Sequence, residues 1–217
     1  RVPREGDLPL SFAQQRLWLI DRIDGASATY NVTNALRLFG PLNLAALDRA
    51  FESLAARHES LRTAFPEAAD GAARQAIAES VPMAPERIDL SAAGRDEAVA
   101  EARRLATIEA ETPFDLGRGP LVRARLIRIA DEEHLLVLSL HHIICDGWSM
   151  GILVRELGEL YRSFASGTAS TLPGLPGLTI GRTDRIAWSF TNLEADVQDL
   201  YRERIEKGRA RRGDGFE

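Results

Sequence analysis

His141 and His142 stand side by side at the end of an apolar run, and Asp146 and Gly147 follow closely. An imidazole fixed at a strand end is a general base, with an unperturbed pKa of about 6.5. It can take the proton from an amine, hydroxyl or thiol as that group attacks an acyl carbonyl. Asp146 has two roles open to it. It can orient the histidine, as the acid of a hydrolase triad does, or pair with an arginine and hold the loop in shape. Cys145 is a conceivable nucleophile, but nothing in the sequence marks a lowered thiol pKa. A serine nucleophile has little support, because there is no GxSxG elbow and Ser149 sits inside a helix start. His141, His142 and Asp146 are also metal-ligand types. Adjacent strand residues diverge, however, and apart from Cys145 no further His or Cys lies in the loop. A structural histidine pair without chemistry is the remaining alternative, and the spacing alone leaves these readings open.

The surrounding elements must position that pair. Residues 135–147, LLVLSLHHIICDG, follow the charged Asp131, Glu132 and Glu133 and read as a strand buried on both faces. Side chains alternate along a strand, so one histidine can face a cleft while the other is held inside the fold. Gly147 permits a turn closed to other residues. Beyond it, Trp148, Ile152, Leu153, Leu157, Leu160, Tyr161 and Phe164 fall near one face of a helix. Residues 121–129, LVRARLIRI, alternate apolar and arginine, and residues 130–133 turn them into the histidine strand, which predicts antiparallel neighbours.

Upstream, Ser11 and Gln14 have capping-box spacing, which predicts an amphipathic helix carrying Phe12, Leu17, Trp18 and Ile20 onto the core. Residues 33–39 alternate like a strand. Asn43 is an N-cap for a helix carrying Leu44, Leu47, Phe51, Leu54, His58 and Leu61. That helix runs into a strand at 61–65, where a partly buried Arg62 needs an anionic partner. Short strands are expected at 74–78 and 86–90, and a helix at 96–111 is stopped by Thr112 and Pro113. Residues 168–177, TASTLPGLPG, have linker composition. Thr191 and Glu194 open a further helical stripe of Leu193, Val197, Leu200, Tyr201 and Ile205 over 192–207, and the last residues, RARRGDGFE, are expected to be mobile.

Composition bounds the class. The chain has 217 residues, 45% hydrophobic and 27% charged, which is ordinary for a globular protein with one well-formed core. No apolar segment approaches the roughly 18–20 residues that span a bilayer, and residues 1–12 carry no secretory h-region. A net charge of −5 gives no general reason to expect nucleic acid as a partner. The single Cys145 excludes an internal disulfide and suits a reducing compartment. Of 27 basic residues only Lys207 is lysine, read here as the codon bias of a GC-rich bacterial genome. A bacterial cytoplasmic location is the expectation.

Residues 140–149, LHHIICDGWS, resemble the HHxxxDG signature of condensation domains of nonribosomal peptide synthetases. Residues 11–18, SFAQQRLW, and 57–65, RHESLRTAF, resemble the first two core motifs of that family, in the same order. Their wording is closest to the subtype that joins two L-configured residues. The resemblance implies an α/β fold: a chloramphenicol-acetyltransferase-like lobe with a mixed, largely antiparallel sheet flanked by helices. It also implies amide formation between an acyl donor and an amino acceptor, both held as thioesters on phosphopantetheine arms of carrier proteins. No bound cofactor or metal is implied. By the same resemblance His142 is the catalytic histidine and His141 its more structural neighbour. Asp146 is then structural, in a salt bridge with Arg62 or alternatively Arg57, and Gly147 lets the loop backbone approach the reacting thioester.

The resemblance stops near Gly167. A whole condensation domain has two such lobes in a V, and too few residues follow here to build the second. The expected organisation is an N-terminal lobe over 1–167, a linker over 168–177 and a divergent tail with an amphipathic helix over 178–217. A lone lobe is expected to be weakly active or inactive without carrier proteins and a C-terminal lobe as partners. Two other readings stand beside it: a free-standing acyl-CoA-dependent acyltransferase of the same superfamily, and a non-catalytic half-domain that binds carrier or partner proteins.

Overall fold

The computed structural model describes residues 8–25 and 27–167 and, after them, the backbone of strands at 181–182, 187–192, 204–206, 209–212 and 215–216. The chain runs α1 (Phe12–Asp24), β1 (Asn31–Phe39), α2 (Leu44–Arg57), β2 (Thr63–Ala64), β3 (Ala76–Ile77), β4 (Glu86–Asp89), α3 (Arg95–Glu111), β5 (Val122–Ala130), β6 (Glu133–His141) and α4 (Gly147–Ser166). The later strands are β7 (Gly181–Arg182), β8 (Ala187–Asn192), β9 (Arg204–Glu206), β10 (Arg209–Arg212) and β11 (Gly215–Phe216). Six strands form the main sheet in the order β4-β5-β6-β1-β8-β7. Among the described strands only β4 and β5 pair in parallel. The sheet is therefore mixed and largely antiparallel, with helices on both faces.

β6 sits in the middle of that sheet, and all nine of its residues are buried. Its even-numbered Leu136, Leu138 and Leu140 pack with Leu47, Phe51 and Leu54 of α2 and Leu153, Val154 and Leu157 of α4. Its odd-numbered Leu135 and Val137 pack with Ile127 of β5 and Ala98, Ala102 and Ala106 of α3. Each such leucine contributes roughly 1.5–3 kcal/mol on burial, which makes the face assignment of β6 expensive to reverse.

The N-terminal helix departs from expectation. Its capping box forms as read: the Ser11 side chain accepts from Gln14 N–H, and the Gln14 side chain accepts from Ser11 N–H. Yet no residue of α1 is fully buried, and Phe12 is 92% exposed. The helix is held at its flank instead, where the indole N–H of Trp18 donates to the Phe65 carbonyl at 3.2 Å. Around 61–65 the expected strand shortens to Thr63–Ala64, because Glu59–Arg62 forms a 3₁₀ turn after α2.

The tail is corrected at both ends of its expected helix. Asn192 ends strand β8, which pairs with β1 from Asn34↔Asn192 to Phe39↔Ala187, and Ile205 lies in strand β9. The free N–H and C=O groups along the outer side of β1 favour an extended neighbour over a helix. Residues 193–203 and the expected linker 168–177 lie outside the described residues. The final stretch, expected to be mobile, carries β10 and β11.

Gly119 is placed where only glycine fits well. Its φ is +51°, and a Cβ there would meet the Ala64 Cβ at 3.2 Å. Two residues on, the Leu121 carbonyl accepts the His141 N–H at 3.0 Å, so this turn abuts the histidine strand. Gly119→Ala is expected to lower stability by about 1–2 kcal/mol, read as a shift of the urea midpoint at unchanged slope.

Candidate functional site

The histidines part at the end of β6. His141 is the last strand residue, and its ring follows the odd-numbered side of β6, the side on which α3 packs. It is 2% exposed, with the Tyr30 and Phe114 rings each 6.3 Å away between centroids, the latter edge-on at 82°. Its Nδ1 accepts the Ile143 N–H at 3.1 Å, so the ring proton resides on Nε2. Burial, with His142 as a second cause, pushes its pKa down to about 4, and the ring is neutral at pH 7.

His142 is exposed and begins the turn. Its backbone N–H still bonds to the Tyr30 carbonyl at 2.8 Å, which fixes the Cα at the strand's end. The ring Nδ1 lies 2.8 Å from the Cys145 carbonyl. A carbonyl only accepts, so Nδ1 carries the proton and Nε2 keeps its lone pair. The tautomer is set by the loop's own backbone. An imidazole held in this way presents a base to whatever lies outside the lobe.

Asp146 takes neither role first considered for it. It is the N-cap of α4, and its Oδ1 accepts from the Ser149 N–H at 2.7 Å and the Ser149 hydroxyl at 2.6 Å. Those bonds, the hydroxyl's first, hold its carboxyl below the usual range. The expected salt bridge to Arg62 is not formed. Arg62 donates instead to the carbonyls of Ala55, Ala78 and Glu79, at the end of α2 and beyond β3. A guanidinium has five donors, and neutral carbonyls can satisfy it without an anion. Arg57, the alternative partner, pairs with the buried Glu156 of α4 at 3.1 Å, as does His58 at 2.6 Å. The second motif thus ties α2 to α4 at Glu156, not at Asp146. Ser149 was the residue missed, although Asp146 and Ser149 have the N-cap to N3 spacing that marks a cap.

Gly147 opens α4 and does not adopt a left-handed turn. A Cβ placed on it would meet no atom within 4 Å. Cys145 is buried, and burial, with Asp146 as a second cause, pushes its thiol up to about 12. It remains a thiol, which removes it as a nucleophile. His141 is buried and His142 exposed, and the described residues hold no group of three or more His, Cys, Asp or Glu side chains that could bind a metal ion.

Two outcomes follow from these environments. An unfolded His141 takes up a proton near pH 6.5, whereas the folded ring resists it until about pH 4. Stability should therefore fall as pH drops through that window, by up to about 1.4 kcal/mol per pH unit, and His141→Asn should flatten the slope in urea titrations. The Asp146 cap behaves in a lower range, since its folded carboxylate is favoured over the unfolded one. Asp146→Ala should lower Tm at neutral pH, and the difference from wild type should close as pH falls below the carboxylate range.

Residues 4–176 match the family model for the condensation domain, and residues 167–215 match that for penicillin amidase. One polypeptide of the linear gramicidin synthase from Brevibacillus parabrevis is 46% identical over 196 residues, covering 90% of this chain and 4% of that polypeptide. Phosphinothricin tripeptide synthetase PhsC from Streptomyces viridochromogenes is 40% identical over 212 residues, covering 94% of this chain and 19% of that protein. This chain thus spans a small fraction of these curated relatives. Among solved structures, the first condensation domain of the CDA synthetase superposes with a TM-score of 0.69 at 30% identity, covering 78% of this chain and 43% of that one. The X-domain from teicoplanin biosynthesis superposes with a TM-score of 0.66 at 32% identity, covering 81% of this chain and 36% of that one. The sheet and its flanking helices are those of a chloramphenicol-acetyltransferase-like lobe, and the chain belongs to the condensation domain family.

Proposed function

We propose that this chain is the histidine-bearing lobe of a domain that forms an amide bond between a carrier-bound acyl thioester and a carrier-bound aminoacyl thioester. The observation that carries the reading is the His142 tautomer, with Nδ1–H on the Cys145 carbonyl and Nε2 left as base. In this reading the acceptor amine attacks the donor's thioester carbonyl, and Nε2 takes the proton that nitrogen loses. The C–N bond forms, the C–S bond breaks, and the proton passes to the departing phosphopantetheine thiolate. His141 stays neutral and buried and shapes the loop, and Asp146 caps the helix behind it. The open space beside Gly147 suits the close approach of a thioester to the loop backbone.

The partners in this reading are two carrier proteins and a C-terminal lobe facing His142. Support for the second lobe comes from coverage, since the chain accounts for 43% of the CDA synthetase domain it matches. The substrates come on phosphopantetheine arms, the lobe itself holds no cofactor, and its place of work is the bacterial cytoplasm. A second reading is a half-domain that docks a protein partner without chemistry. It draws on the likeness to the X-domain, one structure of which is a complex with OxyB, at 31% identity and a TM-score of 0.68.

With the C-terminal lobe supplied as a separate chain and both carriers loaded, His142→Ala should lower the rate of amide formation by roughly 10²- to 10⁴-fold. Undiminished amide formation in that variant would overturn the base role. Binding of carriers with no amide formation by wild type would favour the docking reading. Activity with acyl-CoA as donor would favour a free-standing acyltransferase.

A further inference from the structure

We infer that Arg123 is a positioning residue for the histidine loop, acting through Phe114 and His141. Its role follows from where β5 begins. Arg123 pairs across the sheet with Ser139, two residues before His141, and its side chain lies beside the C-terminal end of α3. There it donates to Glu109 Oε1, to the Thr112 carbonyl at 2.6 Å and to the Pro113 carbonyl at 3.2 Å. The Thr112 carbonyl is one that the end of α3 leaves unsatisfied, and a planar guanidinium can serve it together with the carboxylate and the next carbonyl.

The same guanidinium lies over the Phe114 ring, with Cζ 3.7 Å from the centroid. Phe114 in turn meets the His141 ring edge-on. That ring accepts the Ile143 N–H, the amide after His142 in the loop whose Cys145 carbonyl holds His142 Nδ1. An unbroken series of contacts therefore runs from Arg123 to the His142 tautomer. Asn31 strengthens it, since its side-chain amide donates to the Ala110 and Thr112 carbonyls at 2.8 and 2.9 Å while its backbone pairs with His141. Without Arg123, Phe114 keeps its packing with Phe65, Leu116 and Leu121 but loses the cation over its face, and the edge it presents to His141 is less firmly set.

When Arg123 is lost the buried Glu109 keeps an ion pair, since Arg125 Nε lies 3.1 Å from its second oxygen. That Nε donates to Glu86, however, and the oxygen has no hydrogen bond of its own among the described residues. Arg123→Met is therefore read beside Phe114→Leu, which leaves Glu109 and its arginines in place. Arg125→Met is the control that removes an ion-pair partner of Glu109 without touching Phe114. The test is the nitrogen spectrum of the full chain carrying ¹⁵N-histidine, in which proton-bearing and lone-pair nitrogens separate. The inference expects Arg123→Met to move the His141 ring signals and to mix the two tautomers of His142. Phe114→Leu should reproduce that change, and Arg125→Met should leave the wild-type pattern. It is overturned if Arg123→Met and Phe114→Leu keep the wild-type pattern, or if Arg125→Met disturbs it equally.

The rate readout rests on the proposed function. With partner lobe and loaded carriers, Arg123→Met should lower kcat by roughly 10- to 100-fold at near-constant KM. Arg123→Lys should not restore it, since an ammonium lacks the planar fork. Moved signals with an unchanged rate would leave the positioning role standing and remove His142 as the base.

Discussion

The parity of one buried strand governs the site. β6 is covered on both faces, its even positions by α2 and α4 and its odd positions by α3. A shift by one residue would exchange those two sets and expose every contact to the wrong helix. The register therefore decides that residue 141 points inward and that residue 142 is the first to leave the sheet. Two chemically identical side chains acquire different surroundings from this alone. One is sealed between aromatic rings, and the other meets solvent with its proton anchored to a carbonyl.

Electrostatics then sharpens what packing begins. Within six residues, burial lowers the His141 pKa and raises that of Cys145, while hydrogen bonds from Ser149 lower that of Asp146. At neutral pH the loop thus contains a neutral ring, an intact thiol and a carboxylate whose oxygen is committed to a helix end. Each of these groups is pinned in a single protonation state, and His142 is the imidazole of the loop that is exposed to solvent.

Much of this was legible in the sequence because the signals were local. The apolar run of β6, the caps at Ser11 and Asn43, and the alternation of β5 all depend on residues within a few positions of one another. The condensation family was readable from three motifs and their order. What escaped was decided at longer range or by competition. Arg62 was expected to need an anion, yet three backbone carbonyls brought together by the fold satisfy it. Asp146 was assigned to an arginine although a nearer serine met its needs. The periodicity of Leu193, Val197, Leu200, Tyr201 and Ile205 read as a helix, but Asn192 and Ile205 lie in strands. Phe12 matched an apolar stripe and is nonetheless exposed, because amphipathicity shows which face wants cover and not whether cover is present.

The position of β1 in the sheet bears on how the lobe can be made. Its inner neighbour pairs Asn31 with His141, and its outer neighbour pairs Asn34 with Asn192. β1 thus has both of its partners encoded far downstream of it. Such non-local closure slows folding, since the intervening chain must be ordered before the ladder repays it. During synthesis β1 presents apolar residues and two unpaired edges until β6, and later β8, emerge. The histidine strand therefore closes one edge of β1 and shortens its most aggregation-prone interval, and β8 closes the other.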